Sequence, residues 1–437
     1  PLLFGLPLKD DMPPSFVKLA MYNRNKSMYD QTPELFPVKN TSSGYILSQT
    51  PVIKTVSSNL SFAIQAFDRV TGSNNPNGIS SARLFLDEEP FAGFTLDSIG
   101  YNETLYINAH IDYKYRFDGG VYLQQLTALP GDNGIAYRKI KDEGTILLQD
   151  TFVHNVRIEI KDAYFNTAQL KFGIQYNDSL ARSSSNSNSN PGAQRFVPNN
   201  VNVVEKPEFE MYLPENSLYD TITAYYFRTN SATPFSVSAM HQLNDASFPL
   251  HEDMTIRIKP DKPIPEQWKN KIVIQRSYRG SNSVRKAEWQ GNALLKEQWL
   301  ATKFGDFGVF QAFADTEPPV IDELGKLPIN QEDTIDLSKN NSIVFQPTDN
   351  FKVIKNFRAE LDGKWLCFTN DKKSSWSYIF DEHCPYGSHE LKVTVEDLVG
   401  NSTSKTWLFK RYPITEPKKK IIMKKGSTKK KAIKRKH

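Results

Sequence analysis

The chain has 437 residues, 39% apolar and 24% charged. That is enough for about three ordinary domains, and no apolar run reaches the ~18 residues a membrane-spanning helix needs, so no transmembrane segment is expected. The formal charge of +5 belongs to a tail: eleven Lys or Arg lie between Lys418 and Lys436 with no acid among them, and without them 43 basic residues face 49 acidic ones, a net −6. A global basic field for nucleic acid is thereby excluded, and no nucleic-acid partner is expected.

From the start, Pro1 to Leu8 precede a stiff Asp10-Asp11-Met12-Pro13-Pro14, with no initiator methionine and no charged-then-apolar leader, so the chain is expected to be a fragment. Alternating runs at Leu105 to Ile111, Val156 to Ile160, Ile272 to Ser277 and Leu391 to Val395 predict strands with one buried face. Gly119-Gly120, Pro130-Gly131-Asp132, Asp132-Asn133-Gly134 and Asp362-Gly363 predict turns, and Pro265 to Asn270 a short helix. Ser183 to Asn190, followed by Pro191-Gly192, is too polar to offset its ordering entropy and reads as a flexible linker or loop within 181–200.

The first and last parts of the chain match each other in four ordered blocks. Asp10 with Pro13-Pro14 matches Asp315 with Pro318-Pro319, and Ser61 to Asp68 matches Ser342 to Asp349. Ile79, Arg83, Leu86 and Asp87 match Ile354, Arg358, Leu361 and Asp362 at identical spacing. His154 to Asp162 with Asn166 matches His389 to Asp397 with Asn401. The expected fold is mostly β, with tandem immunoglobulin-like β-sandwiches and a flexible basic C-terminal tail. The segments are 1–8, an exit strand; 9–180, a sandwich enlarged chiefly between Asp87 and Asp162; the 181–200 linker; 201–314, a middle β-domain; 315–412, a second copy of the first sandwich; and 413–437, a disordered Lys-rich tail.

Chemistry is sparse. The seven histidines (His110, His154, His241, His251, His383, His389, His437) form no H-x-H or H-E-x-x-H, and His241 with Asp245, at H-x-x-x-D spacing, lacks a companion pair. His154 and His389, at equivalent strand starts, are expected to bond a neighbouring loop, as a tyrosine corner does. No nucleophile elbow, phosphate loop or dinucleotide fingerprint occurs, so no catalytic residue is assigned. Asp68, Asp87, Asp162, Asp349, Asp362 and Asp397 are either turn caps or oxygen ligands for calcium between modules. Cys367 and Cys384, 17 positions apart, either form one disulfide in an exported domain or sit reduced in a core. Trp365, Trp376 and Trp407 are expected to serve packing rather than a sugar platform. The lysine tail is either a solvated tail or a contact to anionic polymer or lipid.

Pro1-Leu-Leu-Phe-Gly-Leu-Pro-Leu8 with Asp10-Asp11-Met12-Pro13-Pro14 resembles the segment after the catalytic domain in Gram-negative envelope zinc peptidases of the lysostaphin or LytM type. Thr71-Gly-Ser-Asn-Asn-Pro-Asn-Gly78, Asn108-Ala-His-Ile-Asp-Tyr113 and Phe380-Asp-Glu-His-Cys384 share the likeness, which runs to about Arg411. The resemblance implies a peptidoglycan endopeptidase whose zinc domain, with H-x-x-x-D and H-x-H ligands, lies upstream of Pro1 as a partner in cis. It implies no cofactor in this chain, zinc only in that upstream domain, a place in the periplasm or cell envelope, and peptidoglycan or an anionic envelope surface as a further partner. The other reading is an immunoglobulin-like envelope binding or adhesion protein without an enzyme.

Overall fold

The structure is a computed structural model and describes residues 9–137, 141, 144–177, 193–230, 233–292, 297–324, 334–372 and 374–413. The exit strand expected at 1–8 and the tail from 414 onward, His437 included, lie outside the described residues, as do 181–192 of the expected linker. The chain is mostly β and divides into two compact units, Pro1–Asp315 and Thr316–His437.

Within the first unit, the leading sandwich has one layer in which Ser15–Asn23 pairs antiparallel with Asn59–Phe67. Its other layer runs Glu89–Thr95, Ser81–Leu86, Val153–Lys161, Thr167–Tyr176, with Val52–Thr55 added in parallel to the last. Glu34–Thr41 belongs to both layers: residues up to Pro37 pair with Ser15–Asn23, and those from Val38 on pair with Gly44–Leu47. Proline lacks a backbone donor, so Pro37 suits the point where the strand changes partners. The alternation that predicted Val156 to Ile160 as a strand is realised, with Val156, Ile158 and Ile160 on the buried face.

The last module, in the second unit, repeats this layout. Its larger sheet runs Lys364–Leu366, Ile354–Leu361, Gly387–Asp397, Ser402–Arg411, with Thr334–Asp336 added in parallel to the last strand. Ser342–Phe345 stands where Asn59–Phe67 stands in the first copy, in a second sheet with Trp376–Ile379 and Thr369–Asn370. Phe345, Leu391, Val393, Trp407 and Phe409 form the core between them. The matched blocks thus fall on one hairpin and one central antiparallel pair present in both modules, and a parallel edge strand outside the blocks is also present in both.

Residues 202–314 form a third sandwich of two five-stranded sheets around Phe209, Ile256, Leu300, Phe304 and Phe310. It belongs to the same compact unit as the leading sandwich. Tyr29 from the leading sandwich is buried in the middle core, and Ala20, Tyr22, Met28, Ala63, Leu129 and Tyr219 form a shared apolar cluster. Asp220 Oδ2 accepts the Met28 N–H at 3.0 Å and sits 3.5 Å from Arg24.

Three expectations need correction. Residues 193–200, expected in the linker, hold the strand Gln194–Phe196, which pairs with Ile222–Ala224 because Phe196 is fully buried in the middle core. Leu105 to Ile111, expected as a strand, is helical: a 3-10 turn Tyr101–Tyr106 runs into Ile107–His110. In so short a window the same apolar spacing fits a helix, and here Ala109 and His110 go inward while Leu105 and Ile107 face out. Cys367 and Cys384 are both free thiols: Leu366 faces the core, so Cys367 beside it points outward, whereas Cys384 is fully buried.

Candidate functional site: carboxylates at the ends of buried strand faces

The period of two that buries Val156, Ile158 and Ile160 also buries the next residue in step, Asp162, at 1% exposure. The second copy does the same: His389, Leu391, Val393 and Val395 face inward, and Asp397 ends the row at 0%. Each of these carboxylates organises the turn after its strand. Asp162 Oδ1 accepts the N–H groups of Tyr164 and Asn166 at 2.7 and 2.9 Å, and its Oδ2 accepts Asn166 Nδ2 at 2.8 Å. Asp397 Oδ1 accepts those of Val399 and Asn401 at 2.9 and 2.8 Å, and its Oδ2 accepts Asn401 Nδ2 at 2.6 Å. Asn166 Nδ2 also reaches the Asp10 carbonyl at 3.1 Å, and Asn401 Nδ2 the Glu317 carbonyl at 3.4 Å. The leading segment of each module is thereby tied to its turn.

Asp68 ends the strand Asn59–Phe67 and is held by a backbone bridge to Asn77. It meets Asp162 and Asp10, and one carboxylate oxygen from each of the three lies within 4.8 Å of the others. Asp10 stands in the leading segment, apart from the acids that follow strands, and is the residue the repeat pairs with Asp315. Asp10 Oδ1 accepts from Met12 N at 3.1 Å and from Thr71 N at 3.1 Å. Asp10 Oδ2 and Asp68 Oδ1 are buried and have no hydrogen-bond partner. Burial raises the Asp68 carboxyl above the usual range, and the charges of Asp162 and Asp10 push it further the same way. In the second module Asp349 is raised by burial and by Asp397, and Asp349 Oδ1 is likewise buried without a partner.

Asp87 and Asp362, proposed from sequence beside these acids, are not part of the clusters. Each opens a two-residue hairpin with φ of 50°, followed by Glu88 at 67° and by Gly363 at 77°. Each accepts the backbone N–H after a histidine, Asn155 N to Asp87 Oδ1 and Glu390 N to Asp362 Oδ1, both at 2.8 Å. The histidine ring itself is 2.7 Å from the second oxygen, His154 Nδ1 to Asp87 Oδ2 and His389 Nδ1 to Asp362 Oδ2. Burial works to raise these two carboxyls, but the histidine and backbone hydrogen bonds outweigh it and hold both below the ordinary value. These are turn locks, of the structural kind expected for His154 and His389.

The other described histidines are also engaged. His241, fully buried and stacked on Phe209, has Nδ1 2.9 Å from Tyr226 Oη, and burial lowers its pKa to about 4. Asp245 instead caps Ser247 N, so the H-x-x-x-D spacing does not assemble a zinc site. His251 stacks on Tyr106 and bonds Tyr219 Oη at 3.1 Å. His383 is exposed and pairs with Asp381 at 3.2 Å. His110 lies beneath a cleft of about 350 Å³ lined by Leu96, Tyr106, Ile107, Ile135 and Tyr137, with Nδ1 3.0 Å from Tyr137 Oη. Burial lowers it to about 4, so the ring is neutral at pH 7.

Of the three tryptophans expected to pack, Trp407 is buried with Nε1 donating to Glu323 Oε2 at 3.0 Å, and Trp376 stacks on Phe357 with ring centroids 5.3 Å apart. Trp365, on the edge strand, faces solvent.

Residues 193–315 match the family described as the Zu5-like domain. A comparison with curated proteins gives no match. Among solved structures, the chain is similar to a Bacteroides ovatus protein of a mixed-linkage glucan utilization locus solved with a heptasaccharide, at 9% identity, 94% of this chain, 77% of that chain and a TM-score of 0.16. It is also similar to the extracellular domain of a two-component system protein of B. thetaiotaomicron, at 10% identity, 83% and 49% coverage and a TM-score of 0.19. A third is a bacterial ice-binding adhesin, at 9% identity, 83% and 93% coverage and a TM-score of 0.13. These scores lie below that of a shared overall fold.

Proposed function

We propose that this chain is the accessory, non-catalytic β-sandwich region of a cell-wall metalloendopeptidase, and that it positions a zinc peptidase domain upstream of Pro1 or restricts that domain's access to peptidoglycan. On this reading it works outside the cytoplasm, in the periplasm or cell envelope of a Gram-negative bacterium, with the lysine-rich tail facing an anionic envelope surface. The observation that supports it is the commitment of the described histidines: the rings of His110, His154, His241, His251, His383 and His389 all have side-chain partners. The family likeness drawn from Asp10 to Pro14 and Asn108 to Tyr113 supplies the parent enzyme. Asn108 to Tyr113 now has a structural account, because His110 floors the cleft and Asp112 caps the helix Tyr113–Phe117.

A second reading, an envelope binding protein without a peptidase, has its own support in the lining of that cleft, where Ile99, Ile107 and Ile135 face solvent. One measurement tests the non-catalytic role that both readings share, and a second separates them. The purified chain should release no peptide from purified peptidoglycan with or without added zinc, and the reading frame before Pro1 should encode H-x-x-x-D and H-x-H. Hydrolysis by this chain alone refutes a non-catalytic role; an upstream frame that lacks both motifs leaves the binding protein.

A further inference from the structure

We propose that Asp10, Asp68 and Asp162 hold a calcium ion where the leading segment of the first sandwich meets the ends of two of its strands. Two oxygens bound to one ion at about 2.4 Å cannot be more than about 4.8 Å apart, and the three carboxylates meet that limit together. The donor set is oxygen only, with no histidine or thiol in the group, which selects a hard cation over zinc or copper.

The cluster is more than a collection of acids. Asp68 is 5% exposed, yet its Oδ1 has no hydrogen-bond partner, and neither has the buried Oδ2 of Asp10. A buried carboxylate oxygen without a donor costs stability unless a cation or a proton satisfies it. The like charges of Asp162 and Asp10 act on Asp68, opposed by a backbone hydrogen bond from Arg69. The other oxygens are already committed in ways that aim the free ones: Asp162 is fixed by Tyr164 and Asn166, and Asp10 Oδ1 by Met12 and Thr71. The second module independently keeps the same orphan, Asp349 Oδ1, beside Asp397. Duplication of an unpaired buried oxygen at one position of a repeat argues for a shared ligand chemistry. Calcium, which accepts six to eight oxygens in irregular geometry, would complete its shell with water. This proposal stands whether or not a peptidase domain lies upstream.

The test is calorimetric titration of the full chain, freed of metal with a chelator, with calcium chloride, together with thermal unfolding in calcium or chelator. Asp68→Asn is the informative variant because the orphan Oδ1 loses no hydrogen bond. We expect Asp68→Asn to bind one calcium fewer than the unaltered chain, and its first transition to be at least as stable in chelator but no longer raised by calcium. Asp10→Asn, which keeps the bonds to Met12 and Thr71, should weaken the same ion at least tenfold. Magnesium at equal concentration should not displace it. The proposal is overturned if the unaltered chain binds no calcium at millimolar concentration, if Asp68→Asn binds as many ions as the parent, or if magnesium competes equally.

Discussion

Replacing His389 by alanine tests whether the two histidine-carboxylate locks are equal in design but unequal in energy. The substitution removes the 2.7 Å bond to Asp362, the 2.9 Å bond from Nε2 to the Pro385 carbonyl and the contact with the Phe409 ring at 5.4 Å between centroids. The imidazole is 7% exposed, so water does not replace what the ring loses, whereas Asp362, at 52%, is rehydrated. The hydrogen bonds contribute about 1 to 2 kcal/mol and the ring contact about 1, giving a cost of about 2 to 3 kcal/mol. His154 is 22% exposed and its partners Asp87 and Asp150 are 48% and 44% exposed, so His154→Ala should cost about 1 kcal/mol or less. Hydrogen exchange in the full chain reads both. Amides of Gly387–Asp397 should exchange about 30- to 150-fold faster in His389→Ala, and those of Val153–Lys161 about fivefold faster in His154→Ala. Equal acceleration in the two modules would refute the argument that burial of the ring sets the difference.

The His154 lock should also depend on pH. The bond to Asp87 raises the folded pKa of His154 above 6.5, so its contribution is fully present below about pH 6.5 and fades as pH rises through the raised value. Asp87, held low, contributes above its ordinary pKa of about 3.8 and loses that contribution on acidification, so the lock should be strongest between about pH 4 and 6.5. Asp87→Asn should flatten the profile of Val153–Lys161 exchange across that window; an unchanged profile counts against the pairing. Gly131→Ala probes the joining of the first two sandwiches. A Cβ there would lie 1.9 Å from the Leu218 carbonyl oxygen, and Gly131 N donates to the Tyr219 carbonyl at 2.8 Å. The clash should cost about 2 kcal/mol and lower the first unit's Tm by roughly 4 to 8 °C, and an unshifted transition would show that the contact is slack.

The repeat and the strand class were legible because both rest on alternation, which a β-sheet translates directly into facing. Ser61 to Asp68, Ile79 to Asp87 and His154 to Asp162 could be aligned with their copies because each block keeps its internal spacing and ends on an aspartate. The joining of the middle sandwich was not legible. It depends on Tyr29, Tyr219 and Asp220, which come from distant parts of the sequence and follow no local period. The helix Ile107–His110 was missed for a related reason, since it packs within an insertion that has no copy to compare with.

The acids show where residue type alone fails and position succeeds. Asp87 and Asp162 look equivalent in sequence, both following an alternating strand, yet one meets solvent and a histidine while the other is buried among carboxylates. The difference is parity. Asp162 is two residues beyond Ile160 and so stays on the inward face, whereas Asp87 follows Leu86 into a left-handed turn that carries it out of the sheet. Asp397 and Asp362 obey the same rule in the second copy. An acid in step with a buried apolar row at a sheet end is therefore the pattern that points to a desolvated carboxylate, and the leading-segment acid of the repeat, Asp10, is the partner that the same geometry delivers to it.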